Sequence, residues 1–474
     1  MLRNEIQSTE SRLSTLRPQV EKAEQEKTKA ERERREAESA RDIARAEISN
    51  LQKLKESLEQ LLKRTETTLE KTGITSSKGY SDLFAPVFRV GLQAAQASQK
   101  ERVALDRTRD YIKGRGLIFP ERVLHAFHTS LKVSDISPLV VLAGISGTGK
   151  SELPRHYADG MGIHFLLSAV QPRWDSPQDL LGFYNYLEKK YRATELARAL
   201  VQFEMHNRET LERLAKEQGS KLETRRDRML LVLLDEMNLA RTEYYFSEFL
   251  SKLETRRMVD ENEPQQRARA EIEIDMGNLL NGQTALRLYP GRNVLFTGTM
   301  NEDESTQALS DKVVDRASVV RFWVPKRTHA EETPNRRPAT ANGLTVENWQ
   351  AWLKDGNDLK SVRAELDDWL IKLNEALTAI GRPFAFRVDQ AIRSYVALYP
   401  SWVQDWHKKA MADQIEQRIF PKLRGVETEQ ATAQLQSIGQ VIAQLDDPLL
   451  EDAFRKSWQD KPTFLFRGVV RSDD

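Results

Sequence analysis

The densest grouping of chemically capable residues in the chain is the run Gly144-Ile-Ser-Gly-Thr-Gly-Lys-Ser151, which fills the pattern G-x-x-x-x-G-K-[ST]. It follows the apolar stretch Pro138–Ala143 and precedes a segment of helical character, Glu152–Met161. Gly144, Gly147 and Gly149, with Ser146 and Thr148 between them, let backbone N–H groups wrap a polyphosphate, and the start of the next helix adds partial positive charge. Lys150 is placed to reach the outer phosphates, and the Ser151 hydroxyl to ligate Mg2+. A glycine-rich turn with no phosphate chemistry would match the same letters, but here the strand before and the helix after supply the context that the chemistry needs.

A second apolar run, Met229–Leu234, ends in Asp235-Glu236. Asp235 can hold the metal through water, and Glu236 can polarise a water for attack on the terminal phosphate. Alone, such a pair is an ordinary strand end; the phosphate loop upstream gives it this reading. A third run, Asn293–Met300, delivers Asn301, whose amide could touch the attacking water or the phosphate; a turn-forming asparagine is the plainer alternative. Arg316 lies on an expected helix just before the strand Val319–Phe322. In a ring motor, an arginine there reaches the neighbouring subunit's nucleotide and stabilises transition-state charge. Arg321 competes for that role, and a surface ion pair is the usual fate of such a residue.

The elements needed to position these groups are legible in outline. Apolar strand-like runs alternate with helical patterns from about 119 to 326, as in a parallel α/β domain. The segment 72–118 opens with a polar linker and continues as a helical connector, the region Tyr80–Leu131 being expected to be helical. Residues 327–445 begin with a loop rich in Pro, Thr and charge, then show the helical periodicity of an α-helical lid; 446–474 form an extension with an extended tail. Residues 1–71 contain no glycine. Sevenfold spacing from Ile6 (Leu13, Val20, Ile48, Leu62, Leu69) and from Leu2 (Leu16, Leu51, Leu58) outlines an a/d seam, so a coiled coil with a protein partner is expected. A single solvated helix held by i,i+4 ion pairs is the alternative.

Composition narrows the function classes. With no cysteine, disulfides, zinc–thiolate sites and cysteine nucleophiles are excluded, and a cytoplasmic location is expected. The 7 histidines lack metal-ligand spacing. No apolar run reaches the length of a membrane span. The 72 basic and 71 acidic residues nearly cancel, which gives no global attraction to nucleic acid.

These motifs, together with Val170-Gln-Pro-Arg-Trp-Asp175, Asp179–Asn185, Asp235-Glu-Met-Asn-Leu-Ala240, Gly298-Thr-Met-Asn301, Val314-Asp-Arg-Ala317, Pro383–Arg387 and Ile419–Gly425, resemble the AAA+ motor subunit of McrBC-type, modification-dependent restriction systems, within the dynein-related and MoxR-like group. The resemblance spans about Phe119–Gly425. It implies an α/β P-loop NTPase with an α-helical lid, working as a homo-oligomeric ring, expected to be a hexamer, in antiviral defence, on DNA or through a nuclease or effector subunit in trans. By the same resemblance Asn238 helps position the lytic water, Arg387 is a lid residue touching nucleotide phosphates, Arg241 faces a subunit interface, and 260–291 form a projecting hairpin. Where the family's motor reads Asn-Thr-Ala-Asp, this chain reads Asn301-Glu-Asp-Glu304, so ATP is favoured over GTP as the nucleotide. A ring that remodels proteins, tethered by its coiled coil and indifferent to DNA, is the alternative.

Overall fold

The computed structural model describes residues 79–89, 92–94, 99–280, 283–302, 309–322 and 342–469, together with positions 41, 53, 55 and 57. The segment 1–71 with its heptad seam therefore lies outside the described residues, apart from those four positions, as does the whole of the loop 327–341. Residues up to Ser77 and from Lys78 onward form separate units, and the second of these carries every element named below.

Five apolar runs form one parallel sheet: β1 (Leu139–Gly144), β2 (His164–Ala169), β3 (Leu230–Asp235), β4 (Val294–Asn301) and β5 (Ala317–Phe322), in the spatial order β5-β1-β4-β3-β2. Alternation along each strand feeds two cores. Leu139, Val141, Ala143, Val232 and Phe296 face one, while Val140, Leu142, Leu231 and Leu295 face the other. A sheet buried on both faces needs near-continuous apolar strands, which is what these runs are. The second core is closed by α1 (Glu101–Gly114), α2 (Glu121–Lys132), α3 (Glu152–Met161) and, from beyond the loop, α5 (Val346–Lys354) through Trp349 and Trp352. The first is covered in part by α4 (Ser247–Arg256) through Phe249, Leu250 and Leu253.

The span 80–131 is not one helical stretch. It holds a short 3-10 turn at Ser81–Phe84, a two-residue strand at Gln93–Ala94, and then α1 and α2. Tyr80, Leu83 and Phe84 pack into the first core, which a continuing helix could not do. A buried polar cluster fastens α1. Glu101 Oε1 accepts from His128 Nε2 at 2.7 Å and Lys132 Nζ at 2.5 Å, and His128 Nδ1 lies 2.6 Å from the Tyr157 hydroxyl. Burial alone would raise the Glu101 carboxyl, but the His128 and Lys132 hydrogen bonds and charge overcome it and lower it to about 2.

A third core gathers α6 (Arg363–Ala379), α7 (Phe386–Leu398), α8 (Trp406–Gln414), α9 (Thr432–Ala443) and α10 (Pro448–Trp458), with a π-helical turn at Ile415–Ile419. Leu450, Phe454, Phe464 and Val469 belong to this core, and the extended tail pairs with the loop after the π turn, Phe464 N–H donating to Val426 at 2.8 Å. This helical body covers the edge strand β5. Arg418 donates to Ser318 Oγ at 3.3 Å and to Ser137 Oγ, and Arg122 of α2 donates to Asp413 (2.7 Å), Asp447 (2.7 Å) and the Lys409 carbonyl (2.9 Å).

Candidate nucleotide site

Sheet register brings the chemistry-bearing strand ends together. Gly144 pairs with Asn301 across β1 and β4, and Leu234 pairs with Gly298 across β3 and β4, so Asp235 and Glu236 leave the sheet beside Thr299 and Asn301. Open α/β sheets build their ligand sites at these carboxyl ends.

The loop from Gly144 to Ser151 owes its path to its glycines. A Cβ at Gly144 (φ 147°) would sit 2.3 Å from the Phe322 carbonyl oxygen, and one at Gly149 (φ 87°) would sit 3.0 Å from the Phe119 ring. Thr148 Oγ1 closes the loop on the Ile145 carbonyl at 2.9 Å, and Ser146 and Gly147 lie at its turn. Lys150 is buried, its ammonium donating to the carbonyls of Gly144 (3.0 Å) and Ile145 (2.5 Å) of its own loop. The Glu152 and Leu153 N–H groups bond back to Gly149, and α3 begins directly after Ser151.

Ser151 Oγ donates to Asp235 Oδ1 at 2.7 Å, and Thr299 Oγ1 donates to the same oxygen at 2.7 Å. Glu236 takes a left-handed conformation (φ 53°), uncommon for a residue with a side chain. Its N–H donates to Thr299 Oγ1 at 2.8 Å, which holds the turn. Asn301 Nδ2 donates to Glu236 Oε1 at 3.4 Å. Asn238 is buried and donates from Nδ2 to the Asn301 carbonyl at 2.9 Å, so its amide nitrogen fixes the end of β4. A hydroxyl and a carboxylate 2.7 Å apart are hard oxygen donors of the kind Mg2+ takes. Ser151 and Asp235 therefore fit such an ion, and the glycine loop fits phosphate.

The two arginines lie elsewhere, and together. Arg316 follows the short helix Asp311–Val314 rather than lying within it, and its Nε donates to Glu254 Oε1 at 2.5 Å. Arg387, in the first turn of α7, donates to the same oxygen at 2.7 Å. Arg321 reaches the Glu416 carbonyl at 3.5 Å and sits 3.5 Å from Glu302, turned toward the helical body. Arg241 is exposed and lies over the Tyr244 ring. The segment 260–291 does form a hairpin, Ile272–Leu280 against Gln283–Leu288, beside a second hairpin whose Tyr184 fills the space at Gly277. Asp303 and Glu304 are outside the described residues.

Two residues that hold these groups in place escaped sequence reasoning. Thr299 had a signal, since strand residues two apart share a face and Thr299 stands two before Asn301. Glu254 had none; it meets Arg316 across 62 positions and Arg387 across 133.

Residues 139–317 match the model of the AAA domain, dynein-related subfamily, and residues 344–459 match a domain of unknown function, DUF8727. The match agrees with the sheet order and the loop geometry, which give the α/β region an AAA+ P-loop fold. The chain matches no curated protein. Among solved structures it is similar to a "putative ATPase" from Cytophaga hutchinsonii ATCC 33406, at 15% identity and a TM-score of 0.40, covering 71% of this chain and 96% of that one. It is also similar to a full-length MCM homolog from Methanopyrus kandleri, at 13% identity and a TM-score of 0.34, covering 74% of this chain and 63% of that one. Among the described residues no helix is long and apolar enough to cross a membrane, and no group of three or more His, Asp or Glu could hold a metal ion by itself.

Proposed function

We propose that the chain is the nucleoside-triphosphatase of a ring motor, serving a McrBC-type restriction system by moving DNA or activating a partner nuclease. The observation that carries the hydrolytic reading is the continuous contact from Ser151 through Asp235 and Thr299 to Glu236 and Asn301 at three adjacent strand ends. In this reading the backbone of Gly144–Ser151 and Lys150 hold the phosphates of ATP, or of GTP as the alternative. Ser151 and Asp235 hold Mg2+, which supplies charge neutralisation on the phosphates. Glu236 takes the proton of the attacking water, while Asn301, with its carbonyl tied by Asn238, orients that water beside the Glu236 carboxylate. Arg316 is engaged by Glu254 and by the Lys312 carbonyl, and in this reading it serves the nucleotide of the next protomer in a homo-oligomeric, six-membered ring.

Sequence resemblance favours DNA as the substrate of the motor. The nearly cancelling charge, 72 basic against 71 acidic residues, favours a protein-remodelling ring instead, because a DNA-tracking surface is expected to be basic. Steady-state hydrolysis of ATP and of GTP by the purified chain, with and without duplex DNA and over a range of salt, separates the two. DNA-stimulated turnover that weakens steeply with salt supports the restriction reading. Turnover indifferent to DNA supports the remodelling ring, and nucleotide that binds but is never hydrolysed overturns both.

A further inference from the structure

Resting on the ring-motor reading, the geometry points to Glu254 as a positioning residue that holds Arg316 and Arg387 as one two-armed unit for the phosphates of a neighbouring protomer. The two arginines come from different bodies, Arg316 from the turn leading into β5 and Arg387 from α7, yet both guanidiniums end on one oxygen, Glu254 Oε1, at 2.5 and 2.7 Å.

Glu254 is built as a fixed post. It lies in the last turn of α4, and two residues on, the buried Arg256 clamps the helix end by donating to the carbonyls of Pro290 (3.1 Å) and Gly291 (2.7 Å) and to Asp135 (3.3 Å). Glu254 and Arg316 are 16% and 19% exposed, whereas the Arg387 side chain is 44% exposed, so the pair is shielded on the inside and open on the outside. Arg316 has a second anchor, the Lys312 carbonyl at 3.1 Å. The neighbouring Asp315 is engaged by Lys422 at 2.9 Å.

Charge makes the arrangement functional rather than only cohesive. Two guanidiniums share one carboxylate, so a unit of positive charge remains at a half-open surface, where a phosphate oxygen is the anion that planar N–H forks match best. With both arms on one post, displacing either guanidinium alters the other, and core and lid present their arginines together. Arg387 thereby joins Arg316 instead of the loop Gly144–Ser151 of its own protomer.

The test is a mutant cycle on the full chain, reading kcat and nucleotide affinity separately for wild type, Arg316→Ala, Arg387→Ala, Glu254→Gln, Glu254→Asp and the double variant Glu254→Gln/Arg316→Ala. Arg316→Ala should lower kcat by about a thousandfold. Glu254→Gln should lower it by about ten- to a hundredfold with affinity unchanged, and Glu254→Asp should recover part of that loss. The double variant should lose clearly less than the product of the two single losses, what is lost beyond Arg316→Ala being only the share that Glu254 exerts through Arg387. Glu254→Gln at the wild-type rate, or a loss that multiplies with that of Arg316→Ala, overturns the inference while leaving the motor intact. An inactive wild type, or Arg316→Ala at full rate, strikes the motor reading itself and takes the inference with it. Thermal unfolding of each variant reports folding, and if Glu254→Gln does not fold, the double variant Glu254→Asp/Arg387→Ala, set against its two single variants, decides by the same non-additivity.

Discussion

The strand ends and the core–lid junction solve the same problem, holding polar groups in place, by opposite means. At the strand ends the parts sit on neighbouring strands of one sheet, and the ladder sets their spacing; small side chains, Ser151, Thr299 and Asn301, make the final adjustments. At the junction long cations do the work. Arg122, Arg321, Arg387 and Arg418 each cross from one body to the other and end on carboxylates, carbonyls or hydroxyls far away in sequence. A site fixed by backbone register tolerates little movement, whereas one fixed by arginine forks can exchange partners.

The largest effect expected from breaking the contrast is at Arg122. Replacing it with alanine leaves the buried Asp413 and Asp447 without their guanidinium. The cost of removing one partner of such a buried network is about 3–5 kcal/mol. Urea unfolding should show this loss; a change under about 1 kcal/mol would mean that the junction is held by apolar packing instead.

Thr299→Ala sharpens the other side of the comparison. It removes a donor to Asp235 and the acceptor for the Glu236 N–H. Stability should fall by only about 1 kcal/mol. Turnover should fall about tenfold through misplacement of the two carboxylates, with Thr299→Ser restoring it. Equal activity in Thr299→Ala would show that the ladder alone positions the acids.

A further effect is set by pH, through one histidine beside the helical body and one at the amino end of a sheet strand. Burial, helped by nearby cations and opposed only by Glu121, lowers His125, which faces Tyr399 of the helical body, to about 4; burial, with Arg225 and Arg228, lowers His164 at the start of β2 to about 4. Both are neutral in the fold and take a proton more readily when unfolded. Their contribution is therefore complete above about pH 6.5 and lost as pH falls from there toward 4, at about 1.4 kcal/mol per pH unit for each histidine. Stability measured from about pH 7.5 to about 4.5 should fall less steeply in His164→Phe; an unchanged slope would contradict the assignment.

Sequence and structure diverge along the same line. The phosphate loop and Asp235-Glu236 could be read because each is a short contiguous run after an apolar strand, and Asn301 because it ends the next such run. Arg316 and Arg387 were visible as individual residues, but nothing in the sequence joins them, since the carboxylate between them lies on a helix chosen by tertiary packing. The region 80–131, expected to be helical, is so only from Glu101 onward apart from a 3-10 turn, for a similar reason: Tyr80, Leu83 and Phe84 enter the first core. Thr299 stands between these cases, readable from strand alternation once Asn301 is given a role.

The measurement closest to the central claim is turnover by Glu236→Gln beside wild type, with nucleotide affinity measured in parallel. If the strand-end cluster is a hydrolytic centre, the variant binds nucleotide as wild type does and hydrolyses it about 10²- to 10⁴-fold more slowly. Turnover at the wild-type rate would contradict the account, because Glu236 is the carboxylate that meets Asn301 at these strand ends, while Asp235 is committed to Ser151 and Thr299.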